Sequence, residues 1–222
     1  LEYHLLGNHL LENGFALLFG AYYFNDPVFY KKAKTILIPE LQEQVLGDGG
    51  HFERSPMYHC IMLYRVLDCY NLVRNNALFG KELEDTLKEK AGGMLGWLEE
   101  VVYSDGRIPL LNDAAVGIAP TAKELIEYGQ RLGIFCSKKV RLKESGYRKF
   151  RWGKFELFID VGEVGPDYQP GHAHADTFSF ELYINGRPVI VDTGTSTYEV
   201  NNTRFYERST AAHNTVVVFG QN

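Results

Sequence analysis

One change of rhythm limits what this chain can fold into more than any other feature. Up to about residue 140 the apolar residues recur at helical spacing, and beyond it they alternate every second position. A helical period buries one stripe of each helix, and a two-residue period buries one face of a sheet. The order therefore predicts an α+β chain, with helical hairpins over 1–140 and an antiparallel sheet over 141–222. With 222 residues, each part is long enough for a core of its own.

Local signals place the elements. His9 to Phe24 is an apolar-rich helical run, and Asp26-Pro27 is a cap followed by proline at the first helical position, opening a helix to about Val45. Ser55-Pro56 repeats that signal for a helix to about Val73. Lys81 to Val102 and Thr121 to Leu132 complete the helical part, and the basic connector Ser137–Lys143 closes it. Strands are expected at Lys149–Trp152, Phe155–Val161, Thr177–Ile184, Arg187–Asp192 and His213–Phe219. Asn185-Gly186 between two alternating runs is a hairpin turn. Five strands make a poor closed β domain, so the sheet is expected to be incomplete. The chain also starts at Leu1 inside what already reads as structure, as a piece of a longer protein would.

Composition removes several functions. Lys and Arg number 23 against 28 Asp and Glu, a net charge of −5 that repels nucleic acid at long range. An anionic ligand must then be held by a local basic cluster. No apolar run is long enough to span a membrane. The three cysteines, Cys60, Cys69 and Cys136, form no C-x-x-C pair and make neither a disulfide scaffold nor a cysteine zinc knuckle.

Chemistry concentrates around histidine. In Gly171-His172-Ala173-His174-Ala175-Asp176 an extended chain would put both imidazoles on one face, about 6–7 Å apart. With Asp192 ending one strand and His213 beginning another, they form a candidate divalent-metal set, zinc being favoured by nitrogen-rich donors. The bland alternative is a pair of hydrogen-bonded strand histidines. Gly7-Asn8-His9-Leu10-Leu11-Glu12 places His9 and Glu12 on one helix face, although Asn8 also reads as a simple N-cap. The loop Gly47–Ser55, with Arg54 near its end, delivers Tyr58 in the first turn of the next helix, and Arg65 lies two turns further on the same face. Asn112-Asp113 is a weaker signal that a turn alone would explain.

As a set in this order, G-N-H-x-x-E-N at 7–13, D-G-G-H-F-E-R-S-P-M-Y-H at 48–59 and G-H-A-H-A-D at 171–176 resemble the heparinase II/III-like polysaccharide lyases. V-D-T-G-T at 191–195 and R-S-T-x-A-H-N-T at 208–215 extend the resemblance over nearly the whole chain. It implies an α/α toroid followed by a β-sandwich, both incomplete here. It also implies β-elimination on a uronic-acid-containing polysaccharide. Asn8, His9, Tyr58 and His172 fall on catalytic positions, and His174, Asp192 and His213 on the ligands of a structural metal, commonly zinc. Glu12, Arg54, Arg65 and Asn112 stand nearby as candidates for holding substrate.

Such chemistry suits these residue types. The C5 proton of a uronate is acidic enough to remove only if hydrogen-bond donors neutralise the adjacent carboxylate, a task for Asn8 and His9. Histidine titrates near neutral pH and fits the base, as His172 or His9, while tyrosine fits the acid for the leaving oxygen. Arg65 beside Tyr58 would let the phenol serve as base as well. Three rivals remain open: a metal-dependent hydrolase, a two-carboxylate glycosidase drawing on Glu12, Asp48, Glu53 and Asp113, and a non-catalytic carbohydrate-binding protein. The substrate would be an acidic polysaccharide, with no nucleic acid and no membrane insertion. An open sheet edge would invite a homo-oligomer. Unpaired cysteines point to a reducing compartment and the resemblance to a periplasmic or secreted protein; export is the expectation.

Overall fold

The computed structural model describes residues 1–136, 140–168 and 170–221. The first three residues of the basic connector lie outside them. Local capping chemistry starts three of the helices where the sequence places them. Helix α1 spans Gly7–Phe24, α2 Pro27–Gln44, α3 Pro56–Arg74, α4 Lys81–Val101 and α5 Ala122–Arg131. Asp26 accepts from the amides of Val28 and Phe29, and Ser55 from that of Tyr58, with proline at the first helical position in both helices. Thr121 and Glu124 form a reciprocal capping box on α5.

Helix α1 packs on α2 and α3 on α4, as helical hairpins do. Leu11, Phe15, Leu18, Leu37, Leu41, Leu63, Leu67, Leu87 and Leu98 fill the space between them. Burying a leucine of this kind contributes roughly 1.5–3 kcal/mol, which is what holds helices of such mixed composition in place.

Four strands form an antiparallel sheet in the order β1 (Tyr147–Trp152), β2 (Phe155–Asp160), β3 (Phe180–Ile184), β4 (Arg187–Ile190). Asn185 and Gly186 both take positive φ, 53° and 68°, as a two-residue hairpin turn requires. The inner face carries Tyr147, Phe158 and Tyr183, which join the helical core through Trp97 and Tyr103. Tyr103 stacks on Tyr183 at 3.8 Å and donates to Glu181 Oε2 at 2.7 Å. The outer face stays open: Phe150 and Trp152 are each about half exposed.

Several expectations change. His213–Phe219 is not a strand. A 3₁₀ turn at Thr210–Ala212 precedes it, and the segment makes only an isolated bridge, Val218 with Gln221. A valine run stays a strand only with a backbone ladder to pair with; here Asn214 and Thr215 reach the carbonyls of Phe180, Val191 and Thr177 through their side chains instead. Among the described residues the sheet has four strands, not five. Asp192 lies just beyond β4, and the 171–179 loop is turn-rich rather than extended. A short helix, α6 (Asn202–Glu207), follows β4 and has no counterpart in the sequence reading.

Candidate active site

Three loops meet where the helical part faces the sheet: the Gly47–Ser55 loop, the 111–114 turn and the 171–176 loop. Asp113, fully buried, is their hub. Its Oδ2 accepts from His172 Nδ1 at 3.0 Å and its Oδ1 from His174 Nε2 at 2.8 Å. Arg204, from α6, grips both carboxylate oxygens, with Nη2 2.8 Å from Oδ2. Burial alone would raise the Asp113 pKa, but these hydrogen bonds and the guanidinium hold it well below the ordinary carboxylate range.

His172 is fixed on every side. Its ring stacks on Tyr58 at 3.8 Å and 28°. Its Nε2 lies 3.5 Å from Glu53 Oε2. Glu53 is buried, which raises its pKa, and its other oxygen accepts from the Asn8 backbone N–H at 3.4 Å. That contact corrects the reading of Asn8 as an N-cap. Helix α1 begins two residues earlier than expected, at Gly7, with no side-chain cap. A carboxylate from another loop meets the free amide instead. Asn8, Tyr58 and His172 are therefore brought to one place, and His9 lies exposed one residue along α1.

Tyr58 is half-buried. Burial raises its pKa, while a hydrogen bond with Tyr198 and the nearby Arg204 act against the rise. Arg204 also lies over the Tyr198 ring at 5.0 Å. The expectation that Arg65 would activate Tyr58 is not met, because Arg65 pairs with Glu12 at 3.1 Å. The same pair means that Glu12 is engaged by Arg65. Arg54 binds Glu163, through its carbonyl and through its carboxylate at 3.3 Å. Asn112 spends its side chain inside the protein, donating to the Arg54 carbonyl at 3.1 Å and accepting from the His174 amide at 2.9 Å.

The expected metal ligands lie next to this hub. His213 Nδ1 is held by both oxygens of Asp192, at 3.0 and 2.9 Å, and Asp192 also accepts from Ser179 Oγ. His174 and His213 have rings 5.2 Å apart, and His174 Nδ1 and His213 Nε2 are both buried without a hydrogen-bond partner. Two orphaned imidazole nitrogens fit an ion that wants nitrogen donors. Asp192, as placed, orients His213. Among the described residues no group of three or more candidate side chains is arranged to hold a metal.

The sequence offers Asp113 only as a turn residue or one of a carboxylate pair, and gives no signal for Arg204 or Tyr198. The Asp113–Arg204 contact spans 91 residues, so no local spacing announces it. Glu53 was visible only as a member of a carboxylate pair.

Helical hairpins followed by an antiparallel sheet, with a Tyr–His–Asp site at their junction, define the class of fold as α+β. Family models agree across the whole chain, the Heparinase II/III N-terminus over residues 1–141 and the Heparinase II/III-like C-terminal domain over 137–222. The chain belongs to the heparinase II/III-like family. It is 27% identical to a heparin-sulfate lyase of Bacteroides stercoris, covering 99% of this chain and 37% of that protein. A heparin-sulfate lyase of Pedobacter heparinus is also 27% identical, over 97% of this chain and 36% of its own length. A solved heparinase III superposes with a TM-score of 0.77 at 22% identity, over 99% of this chain and 40% of its own. The chain thus spans little more than a third of the curated relatives it matches.

Proposed function

We propose that this chain carries the catalytic centre of a polysaccharide lyase that cleaves an acidic, uronate-containing glycan by β-elimination. The observation that carries the reading is the Tyr58–His172 stack, with Asp113 behind the imidazole and Asn8 joined to it through Glu53. Relatives named as heparin-sulfate lyases support the same substrate class.

In this scheme Asn8 and His9 donate to the uronate carboxylate, which prepares the C5 proton for removal; preorganised donors of this kind are worth about 3–4 kcal/mol. His172, with Nδ1–H directed at Asp113, accepts the C5 proton at Nε2. The electron pair forms the C4–C5 double bond as the C4–O4 bond breaks. Tyr58, whose burial favours the neutral phenol, gives its proton to the departing O4. The two-carboxylate glycosidase is not favoured. Asp48 is occupied by the amides of Lys143 and Ser145, and Asp113 by two histidines and an arginine, so neither is a free acid or base.

We also propose a structural divalent ion, zinc by its donors, held by His174 and His213 with Asp192 against the latter. Bound there, it would tie the 171–176 loop to the segment after α6, and no proton transfer is assigned to it. Export to the periplasm or beyond, and self-association through the open sheet, belong to the same proposal.

The test is an absorbance screen on a panel of uronate polymers. Elimination leaves an unsaturated uronate that absorbs in the near ultraviolet, and Tyr58→Phe should lower its rate by about 10²–10⁴-fold. Cleavage without that chromophore, or an undiminished Tyr58→Phe enzyme, would refute the scheme.

A further inference from the structure

A chain with a net charge of −5 needs a local basic surface to hold a polyanion. The active-site loops do not supply one, since Arg54, Arg65 and Arg204 all pair with carboxylates. The structure has such a surface elsewhere. Between the end of α4, residues 140–143 and β1 runs a groove of about 620 Å³ lined by Arg141, Lys143, Arg148 and Lys149 against a single carboxylate, Glu100. That volume falls within the range of roughly 300–1,000 Å³ of ligand clefts.

The groove is preorganised. Arg148 donates to the carbonyls of Leu142 and Tyr147, at 3.2 and 2.7 Å, so its guanidinium stands in place before any ligand arrives. Lys149 forms the floor. Its side chain is almost fully buried, pairs with Glu156 at 3.6 Å and donates to the carbonyls of Val101 and Val102 at 2.9 and 2.6 Å, which leaves Arg141, Lys143 and Arg148 as the cations that face a ligand. Burial and the neighbouring Arg151 bring its pKa down to about 8. Arg141 and Lys143 are exposed and make no ion pair among the described residues. Phe150, 49% exposed, offers an apolar wall on which a sugar ring can lie.

The segment bearing these cations is fastened to the active-site loop. Asp48 Oδ2 accepts from the Lys143 amide at 2.9 Å, and from the Ser145 amide and hydroxyl at 2.8 Å each. Glu144 accepts from the Gly47 amide at 2.8 Å. The groove therefore moves as one piece with the loop that delivers Tyr58.

We propose that this groove is a second binding site for an anionic glycan, gripping carboxylate or sulfate groups of the polymer apart from the ring being cleaved. It rests on the reading of the chain as acting on an acidic glycan. It gives that activity a preference for long chains.

The test measures binding without turnover, in the full chain carrying Tyr58→Phe. The probes are a sulfated glucosamine–uronate dodecasaccharide, its unsulfated counterpart and a single-stranded oligonucleotide. Arg141→Glu with Lys143→Glu should weaken dodecasaccharide binding about tenfold, and the difference should shrink as salt screens it. Loss with both glycans assigns recognition to carboxylates, and loss with the sulfated one alone assigns it to sulfates. Both changed residues are exposed, and an unchanged melting point shows that the fold is intact. A double variant that binds both glycans as tightly as its parent overturns the groove, as does an oligonucleotide that binds more tightly than either. Binding is read without elimination, so a chain that eliminates but ignores the charge reversal refutes the groove alone. One that binds through the groove but eliminates nothing refutes the lyase reading alone.

Discussion

The substitution Asp113→Asn tests the centre of the site. The side chain keeps its size but loses its charge, leaving the Arg204 guanidinium, 8% exposed, with no carboxylate on its fork. Removing one partner of a buried pair costs about 3–5 kcal/mol, because the other charge stays buried. For a chain of this length each kcal/mol lowers the melting point by about 2–4 °C, so a fall on the order of 10 °C is expected in a thermal melt. A second change, Arg204→Met, should return part of that loss, since the double variant buries no orphan charge. Turnover should respond differently. A neutral amide at this position cannot hold His172 Nδ1–H as an acceptor carboxylate does, and loss of an orienting carboxylate of this kind lowers kcat by about 10⁴-fold. The double variant should therefore regain stability without regaining rate. A single variant that melts within about 1 °C of the parent, or a double variant that recovers activity along with stability, would refute the account of Asp113 as both charge partner and histidine orienter.

Acid should destabilise the fold through His51 and His59, both fully buried and held by burial to about 3. The unfolded chain binds their protons below about 6.5, so their contribution is complete above that pH and is lost as the pH falls; by pH 5 the loss amounts to about 2 kcal/mol for each. Asp160, raised to about 6 by burial, works in the opposite sense, so the clean observable is a comparison. His59→Gln should show a fall in melting temperature between pH 7.5 and 5 that is smaller than the parent's by about 4–8 °C, and equal falls would remove the histidine from the argument. Stripping divalent metal with a chelator should lower the melting point by about 10 °C, with recovery on adding zinc. An unmoved melting point with turnover lost would reverse the structural assignment of the ion.

What the sequence made legible follows the distance over which each cause acts. Asp26, Ser55 and Thr121 cap helices from two or three residues away, and Asn185-Gly186 closes a hairpin by its own φ angles. Tyr58 and His172 stood out through their motifs. Asn8 reads locally as a cap as well as a site residue, because the group that meets its backbone N–H, Glu53, lies 45 residues on. Asp113 looked like a turn residue because its partner Arg204 comes 91 residues later. The 213–219 segment has strand composition, but pairing rather than composition makes a strand, and its start is held through the side chains of Asn214 and Thr215 rather than by a backbone ladder.

That the site rests on loops does not leave it loose, because the residues that end the secondary structure also hold the loops together. Ser55 Oγ caps α3 by accepting from the Tyr58 amide at 3.2 Å, and the same hydroxyl donates to the Asp113 carbonyl at 2.6 Å. The Asp113 amide in turn donates to the His172 carbonyl at 3.1 Å. Tyr58, Asp113 and His172 are thus joined through backbone groups as well as through their side chains. Asn112 repeats the connection one residue away, linking the Arg54 carbonyl to the His174 amide. A hydroxyl that both starts a helix and bonds the turn beside it fixes the phenol relative to the carboxylate before any ligand is present. Preorganisation of this kind is what proton transfer between fixed partners requires.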